Sequence, residues 1–168
     1  MSPVADHVRV VDHVGLVVPD LPAAVQLYLG DLGGQFIGGG QNPLNGLRIV
    51  HLKLPGLKLE LLAPFREDSI ISAGLAEHGP GLHHITFIVD DLPATIEAWS
   101  KRGRRTVGTN LSSENWRETF LRPQDTFGAL LQFVSTTRDW NTPTDDYTLE
   151  DVLAGQVEYQ DNIPCLRA

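Results

Sequence analysis

Two histidines occupy the same register in two similar segments of the chain. His13 lies in VDHVGLVVPDLPAAV, which begins at Val11, and His84 lies in LHHITFIVDDLPATI, which begins at Leu82. The segments match at an offset of 71 residues. A single histidine of this kind is more often a structural core residue, but its repetition favours a shared function. Imidazoles at equivalent places can bind a metal ion or move a proton.

A polar side chain interrupts the last apolar strand of each half. Glu60 lies in KLELL and Gln132 in LLQFV, 47 residues after His13 and 48 after His84 respectively. A carboxylate in an apolar strand is costly unless it is paired or metal-bound. The alternative is that Glu60 faces solvent, since Lys58 has the same parity. Two imidazoles, one carboxylate and one amide predict a site for one divalent ion, such as Zn, Ni, Co, Mn or Fe(II).

Each copy of the repeat reads as a strand followed by a helix. The strand ends at an aspartate, Asp20 or Asp91, and aspartate is a preferred N-terminal cap. A proline two residues later fits the first helical turn, where its missing N–H costs nothing. The predicted helices run from about Pro22 to Gly30 and from about Pro93 to Arg102.

The remaining strands complete two βαβββ modules. They are predicted near Gln35–Gly38, Arg48–Leu54, Lys58–Leu62, Arg104–Thr109, Glu118–Arg122 and Ala129–Ser135. The glycine-rich region Gly33–Gly46 is predicted as turns, with its first part forming a flexible lip of a pocket. We therefore predict an α+β fold. Modules 10–64 and 82–135, related by pseudo-twofold symmetry, form an open eight-stranded mixed sheet around a central cavity.

Two segments lie outside the modules. Residues 65–81 are predicted to link them, and residues 136–168 are a C-terminal extension with a short helix. That helix is capped at Thr148 and runs to about Val157. Its apolar residues recur at helical spacing, which predicts packing against the module sheets or a partner chain.

Composition and charge narrow the class of protein. The 168 residues carry 13 basic and 21 acidic side chains, a net charge of −8, which argues against binding to nucleic acid or an anionic membrane. The chain lacks both a secretory signal pattern and an apolar run long enough to span a bilayer. Its one cysteine, Cys165, excludes an internal disulfide and a cysteine-rich zinc site. These features predict a cytoplasmic protein that acts on a small molecule.

The motifs resemble the vicinal oxygen chelate superfamily, which includes glyoxalase I, methylmalonyl-CoA epimerase, extradiol dioxygenases and metal-free bleomycin-resistance proteins. The resemblance covers Val10 to Ser135 and is carried by DHVGLVVPDLPAAVQLY, LKLELLAP, GLHHITFIVDDLPATIEAW and LRPQDTFGALLQFV. It is closest to the epimerase group. It implies one divalent metal ion as cofactor, and we expect a homodimer. The family's four ligand positions fall on His13, Glu60, His84 and Gln132.

Two positions depart from the epimerase pattern. The last ligand is usually Glu but is Gln132 here, whereas Glu60 stands where epimerases often have Gln, so the ligand set is permuted. The carboxylate that the epimerase group is thought to use for proton transfer is absent from Asn42–Gly46. The candidate replacements are His51, Glu114 and Glu118, together with Glu60 itself. Of these we expect Glu60 or His51 to act as the base.

Three functions remain compatible with this donor set. The first is a metal-dependent isomerase, epimerase or lyase that stabilises the enolate of a small acid or acyl-CoA. The second is an Fe(II) ring-cleaving dioxygenase, whose carboxylate usually occupies the position of Gln132. The third is a resistance-type protein that binds a small molecule, which should have lost its metal ligands. Four retained donor side chains favour the first function.

Overall fold

Ten strands and four α-helices form within residues 3–168, the part of the chain that the computed structural model describes. The strands are β1 (Val8–Val17), β2 (Gln35–Asn42), β3 (Leu47–Leu54), β4 (Leu57–Pro64), β5 (Gly81–Val89), β6 (Val107–Asn110), β7 (Arg117–Leu121), β8 (Leu130–Ser135), β9 (Val157–Gln160) and β10 (Ile163–Leu166). The α-helices are α1 (Leu21–Val25), α2 (Ser72–His78), α3 (Leu92–Ser100) and α4 (Leu149–Leu153). None of these helices is long and apolar enough to cross a membrane.

The chain divides into two units. Unit A contains the N-terminal segment up to Val14 together with His83–Arg138. Unit B contains Gly15–Leu82 together with Asp139–Ala168. Strands β1 and β5 each contribute residues to both units, because the divisions fall within them.

Unit A has the strand order β1-β5-β8-β7-β6. Strands β5 and β8 are parallel, whereas β7 is antiparallel to both β8 and β6, so the sheet is mixed as predicted. The buried core of the unit is Val89, Leu92, Leu121 and Phe133. This core packs α3 against the sheet. The pairing of β5 with β8 fixes the register of their polar residues.

The predicted helix caps are confirmed in both halves. Asp20 accepts a hydrogen bond from the backbone N–H of Ala23, and Asp91 accepts one from Ala94, each at 2.9 Å. Each helix also has proline in its first turn. The first helix is short because the chain continues from α1 into a π-helical segment, Gln26–Asp31.

Unit B has the strand order β1-β4-β3-β2-β9-β10. The sequence predicted only the strands of the modules; β9 and β10 come from the C-terminal extension, so the structure has ten strands rather than eight. Five fully buried side chains join the module to the extension in one core: Val50, Leu52, Leu61, Val152 and Val157. The extension therefore packs against the module sheet, as its apolar pattern predicted.

The helix of the extension is shorter than predicted. Thr148 caps it as expected and forms a reciprocal capping box with Asp151, but α4 ends at Leu153. Gly155 then adopts φ of +76°, a left-handed conformation that ends a helix. The prediction that the helix runs to about Val157 is wrong, because Val157 begins β9 instead.

The predicted strand near Gln35–Gly38 is confirmed, but it continues to Asn42 through residues predicted as turns. Strand β2 spans Gln35–Asn42 and pairs with β3 on one side and β9 on the other. A side chain at Gly39 would overlap the carbonyl oxygen of Ile49, and the N–H of Gly39 donates to the hydroxyl of Tyr147 at 3.2 Å. The prediction of a flexible lip is wrong, because glycine here permits close approach of neighbouring chain segments.

Candidate metal centre

The two repeat-related histidines lie together in unit A. His13 is 1% exposed and His84 is 6% exposed. Their Nε2 atoms are 3.2 Å apart, and the rings meet edge to face with an interplanar angle of 81°. Two buried imidazoles thus direct the same ring nitrogen at each other.

The other ring nitrogen of each histidine has its own partner. Nδ1 of His13 lies 2.7 Å from the buried carboxylate of Asp12. Because a carboxylate only accepts, this contact holds a proton on Nδ1, so that in the neutral ring the lone pair lies on Nε2. Nδ1 of His84 lies 2.9 Å from Nδ1 of His83. When His84 donates in that contact, its Nε2 also carries a lone pair.

This donor pair fits a divalent metal ion. Two lone pairs that face each other at 3.2 Å repel unless a proton or a cation lies between them. Imidazole nitrogens bind zinc at about 2.0–2.1 Å, so two of them on a tetrahedral ion are about 3.3 Å apart. The observed separation agrees with that value. The partners on Nδ1 are of the kind that orients histidine ligands in metal sites.

Gln132 reaches the histidine pair through Thr86. The two residues are paired in the parallel register of β5 and β8, and both are buried. The hydroxyl of Thr86 donates to Oε1 of Gln132 at 2.5 Å and lies 3.0 Å from Nε2 of His13. Of the two ends of the Gln132 amide, the oxygen is therefore the end on the side of His13.

Glu118 contacts the opposite end of the same amide. Nε2 of Gln132 donates to Oε2 of Glu118 at 2.7 Å, and Nε1 of Trp116 donates to that oxygen at 2.9 Å. Glu118 is partly buried, whereas Glu114, the other loop carboxylate considered as a base, is exposed. Glu118 thus belongs to the polar network of His13 and Gln132.

His51 and Glu60 form a pair in unit B. They lie directly opposite each other on β3 and β4, with Nε2 of His51 3.1 Å from Oε1 of Glu60. Their side chains are 15% and 13% exposed, so the alternative that Glu60 faces solvent is wrong. Lys58, on the same face, is buried as well, and its ammonium donates to the carbonyl of Trp140 in the extension at 2.8 Å.

Tyr159 of β9 lies within the electrostatic influence of Glu60. Burial raises the pKa of its hydroxyl well above the ordinary value, and the charge of Glu60 raises this pKa further. Tyr159 therefore remains a neutral hydroxyl at physiological pH. Sequence patterns do not single out Tyr159, since a short strand after a glycine carries little periodicity.

The structure thus groups the predicted site residues by unit. His13, His84 and Gln132 lie together in unit A, and His51 is paired with Glu60 in unit B. The sequence missed three polar partners: Asp12, His83 and Thr86. The available signals were that two of them adjoin the repeated histidines, and that Thr86 shares the strand face of His84.

Comparison with known proteins identifies a matching family model and similar proteins. The family model described as the glyoxalase/bleomycin resistance protein/dioxygenase superfamily matches residues 12–120. An ethylmalonyl-CoA/methylmalonyl-CoA epimerase from Cereibacter sphaeroides is 34% identical over 126 residues, which cover 72% of this chain and 93% of that protein. The matched family region includes His13, His51, Glu60 and His84.

Solved structures give the same result. Methylmalonyl-CoA epimerase from Mycobacterium tuberculosis aligns with a TM-score of 0.70 and 32% identity, covering 78% of this chain and 90% of that one. A methylmalonyl-CoA epimerase variant from Streptomyces coelicolor, in complex with 2-nitronate-propionyl-CoA, aligns with a TM-score of 0.69 and 32% identity. That alignment covers 78% of this chain and 99% of the Streptomyces chain.

Proposed function

The chain belongs to the glyoxalase/bleomycin resistance protein/dioxygenase superfamily, and we propose that it is a divalent-metal-dependent epimerase that acts on an acyl-CoA thioester. The predicted resemblance to epimerases, and with it the prediction of an enzyme, is confirmed by relatives that are methylmalonyl-CoA epimerases. The observation that carries the proposal is the facing pair of Nε2 atoms of His13 and His84.

We propose that His13, His84, Gln132 and Glu60 bind the metal ion. The first three are supported by their contacts within unit A. Glu60 is supported by its repeat position, because it stands on the last strand of its module as Gln132 does. A set of nitrogen and oxygen donors without thiolate suits Zn, Co, Ni, Mn or Fe.

The charge of this donor set suits an enolate. A divalent ion, when bound, stabilises negative charge on substrate oxygens. Three neutral ligands and one carboxylate leave the centre with a net positive charge. Such a centre favours the anion that forms when the α-proton leaves a thioester over the neutral substrate. An acid with a carboxylate beside the thioester would offer two neighbouring oxygens.

For proton transfer we propose His51, with Glu60 as its partner. An imidazole N–H that donates to a carboxylate fixes the orientation of the ring, and the other nitrogen carries the lone pair that can accept a proton. The 3.1 Å contact between His51 and Glu60 has this form. A carboxylate has two oxygens, so Glu60 can accept from His51 through Oε1 and still offer Oε2 as a ligand. This pair would replace the carboxylate that is absent from Asn42–Gly46.

Exchange of the substrate α-proton with solvent tests the proposal. Protein loaded with Co²⁺ is incubated with methylmalonyl-CoA in D₂O, and deuterium at the α-carbon is followed by mass spectrometry. We expect exchange with the wild-type protein, loss of exchange in His84→Ala, and retention in Glu114→Ala, whose side chain is exposed. Absence of exchange combined with oxygen consumption on a catechol would indicate the dioxygenase instead. Absence of exchange combined with chelator-insensitive ligand binding would indicate the sequestering protein.

The assembly and the location of the protein belong to the same proposal. We propose a homodimer in the cytoplasm that takes a small acyl-CoA as its substrate. Light scattering coupled to gel filtration should give twice the 18.4 kDa chain mass, and a monomer at micromolar concentration would contradict the dimer. Cell fractionation tests the location.

A further inference from the structure

Gln132 differs from a carboxylate at its ligand position because the two ends of its side-chain amide have opposite polarity. The amide oxygen can approach a cation, whereas the NH₂ group, a donor only, would repel one. A carboxylate at the same position has no such requirement. An amide ligand therefore needs a neighbour that decides which end faces the site.

Glu118 is the neighbour that determines which end of the Gln132 amide faces the site. Its Oε2 accepts from Nε2 of Gln132 at 2.7 Å, while Oε1 of Gln132 accepts from Thr86 on the other side. If the amide were reversed, the oxygens of Gln132 and Glu118 would face each other and repel, since an ionised carboxylate only accepts. The observed orientation is therefore strongly favoured.

The carboxylate is itself held in place. Nε1 of Trp116 donates to the same Oε2 at 2.9 Å, so this oxygen receives two N–H groups. Glu118 lies opposite Val134 in the register of β7 and β8, and Phe120 lies opposite Gln132, so Glu118 and Gln132 are diagonal neighbours across the strand pair. Two strands and an indole thus fix the contact.

We infer that Glu118 is a positioning residue of the metal centre: it turns the amide oxygen of Gln132 toward His13 and places a negative charge directly behind that neutral ligand. The inference rests on the proposed function in one respect, the use of Gln132 as a ligand. It explains how this chain retains a usable ligand at a position where a carboxylate is absent.

Cobalt affinity and the amide resonances of Gln132 test the inference. In the metal-free protein, the side-chain NH₂ signals of Gln132 should move on Glu118→Ala, because a charge-assisted hydrogen bond is lost. The dissociation constant for Co²⁺, measured by absorbance of its d–d bands, should rise about 10–100-fold in the same variant. The matched control is Glu97→Gln, which removes a carboxylate that is exposed and paired with Lys101.

Exchanging the residue types at positions 118 and 132 provides a second, more specific test. Glu118→Gln should weaken cobalt binding by less than Glu118→Ala, because its amide oxygen can still accept from Gln132. The double variant Glu118→Gln/Gln132→Glu should bind Co²⁺ at least as tightly as the wild type, since the carboxylate becomes the ligand and the amide its donor partner. Circular dichroism verifies that each variant is folded.

The outcomes separate the two proposals. Wild-type protein that binds no Co²⁺ overturns the proposed function and this inference with it. Wild-type protein that binds Co²⁺, with a folded Glu118→Ala variant of equal affinity and unmoved Gln132 resonances, overturns this inference and leaves the proposed function intact.

Discussion

Nε2 of His13 faces Nε2 of His84 at 3.2 Å, although 71 residues of chain separate the two histidines. The internal repeat accounts for this contact, because equivalent strand positions in two copies bring equivalent side chains into unit A. The contact between Asp12 and Nδ1 of His13 determines which nitrogen of the neutral ring carries the proton, and so whether the facing Nε2 carries a lone pair. We therefore expect metal binding to depend on the residues around the pair as much as on the pair itself.

Asp12→Asn should weaken metal binding. The uncharged side chain no longer secures the proton on Nδ1 of His13, so Nε2 presents its lone pair less often. We expect the dissociation constant for Co²⁺ to rise about 10–100-fold, the usual effect of losing such a partner. The control is Asp145→Asn, at an exposed position. Equal affinities in the Asp12→Asn variant and the wild type would refute this role.

His51→Asn should separate proton transfer from metal binding. If His51 is the base, the rate of α-proton exchange at saturating Co²⁺ should fall about 10²–10⁴-fold, whereas cobalt affinity should fall by no more than the about 10–100-fold expected for losing the partner of a ligand. His78→Asn is a suitable control, because the His78 side chain is 74% exposed. Undiminished exchange at saturating Co²⁺ would exclude His51 as the base.

Tyr159 should make stability depend on pH in the alkaline range. Its pKa is raised in the folded protein, so above about pH 10 the unfolded chain releases this proton before the folded one does. The stabilisation is complete below that pH and is lost as pH rises, by up to about 1.4 kcal/mol per pH unit. Urea unfolding between pH 8 and 11, a range that brackets the ordinary tyrosine pKa of about 10, should show a shallower decline for Tyr159→Phe. Parallel curves would contradict this origin.

Two glycine substitutions should have opposite effects on the free energy of unfolding. Gly39→Ala forces a methyl group onto the Ile49 carbonyl and should lower that free energy by about 1–3 kcal/mol or more. Gly74→Ala, in α2, meets no atom within 4 Å and should raise it by about 0.5–1 kcal/mol. Urea denaturation measures both. Equal stability of the two variants would show that β2 tolerates a side chain at Gly39.

The features predicted most accurately from the sequence are those that occur in both copies of the repeat. His13 and His84 could be paired because each stands at a fixed distance before a capping aspartate, and local capping chemistry does not depend on the rest of the fold. The apolar strands β3, β4 and β8 were found within one or two residues for a similar reason. Their alternating or continuous apolar character is set by burial.

What the sequence could not predict depends on contacts between strands. Gly39 and Gly40 look like turn residues, and only the close approach of β3 and the side chain of Tyr147 explains why they continue the strand. The contact of Glu118 with Gln132 requires the register of β7 against β8. A single sequence does not specify that register.

The most direct test of the metal centre is anomalous diffraction at the cobalt absorption edge, from crystals of the protein grown with Co²⁺. We expect one strong peak about 2.0–2.2 Å from Nε2 of both His13 and His84, with side-chain oxygens of Glu60 and Gln132 among the remaining ligands. A peak elsewhere, or a histidine pair that stays at 3.2 Å with no anomalous signal beside it, would contradict the account.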